Sequence, residues 1–100
     1  MDNYKVKISP QAYRELERIY QYIAETLTEK QTALNIIDKL QTAMLSLNEM
    51  PYRGAERKIG IYANKGYRQI IEKNYTIIYR INEPSKTVII VTVKYSMRKF

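Results

Sequence analysis

Three apolar segments in the last third of the chain, Tyr67 to Ile71, Tyr75 to Ile81 and Thr87 to Lys94, are separated by only Glu72-Lys73-Asn74 and Asn82-Glu83-Pro84-Ser85-Lys86. Gaps this short join neighbouring antiparallel strands and leave no room for a crossover helix, so a three-stranded meander is predicted. The first gap sets its register. A three-residue loop ending in a left-handed Asn74 pairs Ile71 with Tyr75, whereas a two-residue turn flips the faces of one strand.

In the three-residue register, Tyr67, Gln69, Ile71, Tyr75, Ile77, Tyr79, Ile81, Ile89, Val91 and Val93 share one face, and helices are expected to cover it. The opposite face carries Arg68, Ile70, Thr76, Ile78, Arg80, Val88, Ile90, Thr92 and Lys94. An apolar centre of Ile70, Ile78 and Ile90 inside a basic and hydroxyl rim has the composition of a partner site. The alternative is burial of those residues beneath the 51–65 loop.

Upstream, Tyr4-Lys5-Val6-Lys7-Ile8 alternates with period two and predicts a short strand. Ser9-Pro10 follows as N-cap and first helical residue. A helix is predicted with Tyr13, Leu16, Tyr20, Ile23 and Leu27 on its buried stripe, widened by Ile19, and with Arg14, Glu15, Glu17, Arg18 and Glu25 outside. Thr28-Glu29-Lys30-Gln31 has capping-box spacing and predicts a second helix with Ala33, Ile37, Leu40, Met44 and Leu47 inward, closed at Met50-Pro51. So tight a junction makes the two helices a hairpin. Residues 51–65 read as a basic loop with a short strand near Ile59-Gly60-Ile61-Tyr62.

The result is an α+β domain, β-α-α-β-β-β, spanning residues 1–100 as a single unit. Its charge is lopsided. Residues 1–50 hold six Lys/Arg against seven Asp/Glu, and residues 51–100 hold eleven against three, so the net +7 belongs to the second half. A field of that kind suits nucleic acid or an acidic protein segment.

Cysteine and histidine are both absent. Thiol nucleophiles, disulfides, the usual zinc sites and imidazole acid–base chemistry are thereby excluded, and neither metal nor cofactor is expected. No apolar run approaches a membrane span and no secretory leader is evident at Met1-Asp2-Asn3-Tyr4-Lys5, so a bacterial-type cytoplasmic location without membrane contact is expected.

Several segments, in order and spacing, resemble the RelE/ParE superfamily of bacterial type II toxins. They are Tyr4-Lys5-Val6-Lys7-Ile8-Ser9-Pro10, Leu47-Asn48-Glu49-Met50-Pro51-Tyr52-Arg53-Gly54, Gly66-Tyr67-Arg68-Gln69-Ile70-Ile71, Asn74-Tyr75-Thr76-Ile77-Ile78-Tyr79-Arg80-Ile81 and Lys86-Thr87-Val88-Ile89-Ile90-Val91. The resemblance implies a toxin that arrests growth and is neutralised by a cognate antitoxin with an acidic segment. Its target would be DNA gyrase, as for ParE, or the ribosome and its mRNA, as for the RelE endonucleases.

An endonuclease of this kind uses cations to hold the phosphate and an acid to protonate the leaving group. Arg68 and Arg98 match basic positions of the endonucleases, and Tyr95 stands where related toxins have His, so Arg68, Tyr95 and Arg98 are the catalytic candidates of that branch. Yet Thr76 stands where an Arg is placed and Ile70 where a second Lys can sit. The comparison therefore favours the gyrase-poison branch, which needs a binding surface alone. The expected contacts are Arg68, Arg80, Lys94 and Arg98 for target or nucleic acid, and Ile70, Ile78 and Ile90 for antitoxin.

Overall fold

A computed structural model describes residues 3–97. Strand β1 (Lys5–Ile8) leads into helix α1 (Pro10–Gln21), which continues as a π-helical stretch, Tyr22–Thr26. Helix α2 (Lys30–Leu45) follows, and short 3-10 turns at Ser46–Asn48 and Pro51–Arg53 lead to β2 (Ala55–Glu56). The chain closes with β3 (Arg68–Glu72), β4 (Tyr75–Asn82) and β5 (Thr87–Tyr95). The sheet order is β1-β5-β4-β3-β2, with β1 parallel to β5 and every other pair antiparallel. The predicted α+β order of elements is present, with β2 added. The strand expected near Ile59 is not: those residues form turns, and the extra strand lies earlier, at Ala55–Glu56.

Helix α1 starts where predicted, with Ser9 Oγ accepting from Ala12 N–H at 3.1 Å and Pro10 at its first position. Its buried face is rotated from the expected stripe. Ala12, Glu15, Leu16 and Ile23 are buried, while Tyr13 and Leu27 are exposed. The capping box does not form: Thr28 has φ +53° and bonds Leu27 O, and Glu29 takes the N-cap position without a side-chain cap. Helix α2 buries Ala33, Leu40, Ala43 and Met44, and Leu47 joins them from the following turn. The main core gathers Leu40, Ala43, Met44 and Leu47 with Ile70, Ile77, Tyr79, Val88, Ile90 and Val93 of the sheet, and Ala33 packs in a second cluster with Ile23 and Ala24.

The meander is present, but in a different register. Lys73 and Asn74 both have positive φ, 51° and 67°, so a two-residue turn pairs Glu72 with Tyr75 and Arg68 with Tyr79. That reverses the faces of β3: Arg68 and Ile70 lie on the side of Ile77 and Tyr79, and Ile71 turns outward. A β-bulge in β5 makes a second reversal. Ile78 pairs with Thr92 and Tyr79 with Ile90, which leaves Val91 extra and brings Val88 and Ile90, rather than Ile89 and Val91, into the core.

Candidate functional site

The two reversals redistribute the residues expected to act. Ile70 and Ile90 belong to the core cluster. Ile78 keeps its expected face, opposite Gln69 on β3, yet is fully buried. Gln69 Oε1 accepts from Arg57 Nη1 there, and the Arg57 N–H bonds Tyr67 O, which ties the base of the following loop to this side of the sheet. None of the three isoleucines forms an exposed apolar patch.

Arg68 is committed to β2 and the segment before it. Its Nη1 donates to Gly54 O at 2.5 Å, its guanidinium lies 5.0 Å from the Tyr52 ring centroid, and Nη2 stands 3.9 Å from Glu56 Oε1. Beneath it, the buried Tyr79 hydroxyl donates to Pro51 O at 2.7 Å and accepts from Gly54 N–H at 3.1 Å. Burial holds the Tyr79 phenol above its ordinary pKa, against smaller lowering contributions from the Gly54 bond and from Arg68 and Arg53. Gly54 is required by this contact, because a Cβ there would stand 2.4 Å from the Tyr79 oxygen and 2.6 Å from Gln69 O.

Tyr52 extends the cluster to the β4–β5 turn. Its hydroxyl donates to Glu83, which also accepts from Tyr4 at 2.9 Å and from Lys86 Nζ at 3.1 Å. The Tyr52 bond, then those from Lys86 and Tyr4, hold the Glu83 carboxyl below its ordinary pKa. The carboxylate in return raises the Tyr52 phenol.

Lys94 is engaged on the opposite edge. Strand β1 pairs with β5 only as far as Ile90, so the outer edge of β5 beyond that point has no strand beside it. Side chains from the α1 segment satisfy it. Ser9 Oγ donates to Val91 O at 3.0 Å, and the buried Glu15 Oε1 accepts from Val93 N–H at 3.1 Å and from Thr92 Oγ1 at 2.7 Å. Lys94 Nζ meets Glu15 Oε2 at 2.6 Å.

Arg80 is exposed on the side opposite Tyr79 and has no hydrogen bond or ion pair with any described residue. Thr76 is buried with its hydroxyl 3.0 Å from Ser96 Oγ, and Tyr95 packs edge-on against Tyr75, with ring centroids 5.7 Å apart. Arg98 lies outside the described residues. Arg68, Arg80 and Lys94 thus point into three different surroundings and do not converge on one phosphate-sized site.

Sequence reasoning missed Glu15, Tyr52, Gly54 and Tyr79 as organising residues. Glu15 looks like any outward helix carboxylate until β1 pairing stops at Ile90 and leaves the Val93 N–H on an open edge, and Tyr79 reads as one more core aromatic until the turn brings Pro51 and Gly54 over its hydroxyl. Among the described residues no helix is long and apolar enough to cross a membrane, and no group of three or more His, Cys, Asp or Glu is placed to hold a metal ion.

Residues 6–100 match the family model described as the ParE toxin of the type II toxin–antitoxin system parDE. None of the curated protein sequences matches. Among solved structures, the chromosomal ParDE system of P. aeruginosa superposes with a TM-score of 0.77 at 18% identity, covering 95% of this chain and 98% of that one. The RelBE2 toxin–antitoxin complex of Mycobacterium tuberculosis gives 0.69 at 20% identity, covering 93% and 98%. Isolated E. coli RelE gives 0.63 at 15% identity, covering 96% and 87%. These structures share the fold.

Proposed function

The chain belongs to the ParE toxin family of type II toxin–antitoxin systems, and from that premise we propose that it arrests growth by binding and poisoning DNA gyrase. A cognate antitoxin with an acidic segment neutralises it. The observation that carries the choice of target is the condition of three positions at which the endonuclease branch places reactive groups. Here they hold Ile70 in the core, Thr76 buried on Ser96 and Tyr95 packed on Tyr75. Each side chain has a packing or bonding task in the fold.

Arg68, the best remaining candidate for phosphate, spends its guanidinium on the Gly54 carbonyl, the Tyr52 ring and Glu56. Phosphate-stabilising cations act through preorganised, unspent donors aimed at developing charge. A binding role asks less of the site: a stable scaffold, a cationic field and an exposed contact element. The excess of Lys and Arg after residue 50 supplies the field, and it also suits capture of an acidic antitoxin segment.

The test uses programmed ribosomes carrying an end-labelled mRNA. The purified chain is expected to leave the message intact. Codon-positioned cleavage that disappears in Arg68→Ala would assign the chain to the endonuclease branch, with the ribosome as its target.

A further inference from the structure

The loop between β2 and β3 is tied at its base and apolar at its tip. Arg57 N–H bonds Tyr67 O at 2.8 Å, Asn64 N–H bonds Arg57 O at 3.0 Å, Ala63 N–H bonds Gly60 O at 3.1 Å, and Arg57 Nε donates to Ile59 O at 3.1 Å. Tyr62 and Tyr67 meet edge-on beneath, with centroids 5.0 Å apart. Left-handed residues at Gly60, Asn64 and Gly66 set the turns. On this braced frame Ile59 and Ile61 are 69% and 67% exposed. Single exposed apolar side chains are ordinary, but two on the tip of a fixed loop are presented together, and a partner would not have to order the loop on binding.

Charge identifies the kind of partner. Lys58 and Lys65 are exposed in the same loop, and no acidic residue occurs between Arg57 and Ile71. The groove between the helices is the opposite case: it is lined by Tyr13, Leu16, Tyr20 and Ile37 together with Glu17 and Glu25, with no cation among the lining residues. An acidic surface is therefore matched by the loop and repelled by the groove.

We propose that Ile59 and Ile61 seat in an apolar pocket with a carboxylate rim on the toxin's protein target, with Lys58 and Lys65 facing that rim. The proposal rests on the reading of the chain as a toxin that acts by binding, and names the element that makes the contact. Burying two isoleucines is sufficient to set affinity over orders of magnitude.

The experiment compares the full chain with two double variants, Ile59→Ser with Ile61→Ser and Lys58→Glu with Lys65→Glu. Growth arrest on expression, thermal midpoint, affinity for the cognate antitoxin, affinity for purified gyrase without DNA and affinity for naked DNA are read for each. Both variants are expected to keep the thermal midpoint and antitoxin affinity, to lose growth arrest, and to bind gyrase at least about 30-fold more weakly. Arrest undiminished in the variants overturns the proposal whatever the target is. So does loss of antitoxin affinity in place of target affinity, or loss of naked-DNA binding in the lysine variant alone, which would make the loop a nucleic-acid contact. If the wild-type chain fails to bind gyrase but the variants still lose arrest, the gyrase reading fails and the loop proposal stands with another protein target. A wild-type chain that neither arrests growth nor binds gyrase overturns both.

Discussion

Lys94 Nζ meets Glu15 Oε2 at 2.6 Å, tying the first helix to the last strand where that strand has lost its neighbour. The same carboxylate accepts from Thr92 and from the Val93 N–H, so one side chain substitutes for the missing partner strand. The geometry accounts for a glutamate buried in a helix that otherwise turns its charges to water.

The pH dependence follows from it. Burial pushes the Glu15 carboxyl up, but the Lys94, Thr92 and Val93 bonds together outweigh burial and hold it below the ordinary value of 4.5. With the folded value depressed, the contribution to stability is fully present above that ordinary value and is lost as pH falls through the folded one. Glu15→Gln is expected to cost about 2–3 kcal/mol at pH 7, from hydrogen bonds to a charged group. Urea melts of both proteins at pH 7 and pH 3 check this, and the gap between them should shrink at the lower pH.

Tyr79→Phe is expected to cost about 1–3 kcal/mol, because Pro51 O and Gly54 N–H lose their common partner in a buried place. Gly54→Ala should be worse, since its Cβ meets both the Tyr79 oxygen and Gln69 O. Combining the two should recover part of the loss and no more, because the clash with Gln69 O remains. A double-mutant cycle on denaturant midpoints measures it, and strict additivity would mean that Gly54 and Tyr79 do not touch.

How much of this was legible beforehand depends on the residue. The Ser9-Pro10 helix start and the meander are local chemistry, and both are visible in the sequence. Register was not, because it hung on Lys73-Asn74, which adopts a doubly left-handed turn without the glycine that usually announces one. The bulge at Val91 has no local signal either. Those two unseen features moved Ile70 and Ile90 from an expected surface to the core and turned Arg68 into a clamp. Ile78 shows the other limit: its face was legible, but the pattern left exposure and burial both open, and the structure buries it.

The turn offers its own check. Asn74→Gly relieves the left-handed strain at φ 67° without touching another element, and should stabilise the chain by about 1 kcal/mol. Thermal melts read the change; no gain would argue against the two-residue turn and the register built on it.

Arg68→Ala is expected to speed hydrogen exchange across residues 52–56, and Arg68→Lys to restore little of the protection, because an ammonium does not reproduce the planar contact with Tyr52 together with the Gly54 bond. Loss of toxicity in Arg68→Ala with exchange and melting unchanged would instead place Arg68 in direct contact with the target.

Gyrase-mediated cleavage of supercoiled plasmid separates a chain that stalls gyrase, as proposed above, from one that does not. Purified chain is added to gyrase, plasmid and ATP, the reaction is stopped with detergent and protease, and linear DNA is quantified. A gyrase poison yields linear DNA that rises with the amount of chain and disappears when cognate antitoxin is added in equal amount. Plasmid supercoiled to the same extent with and without the chain, and no linear product at any ratio, would contradict the proposal.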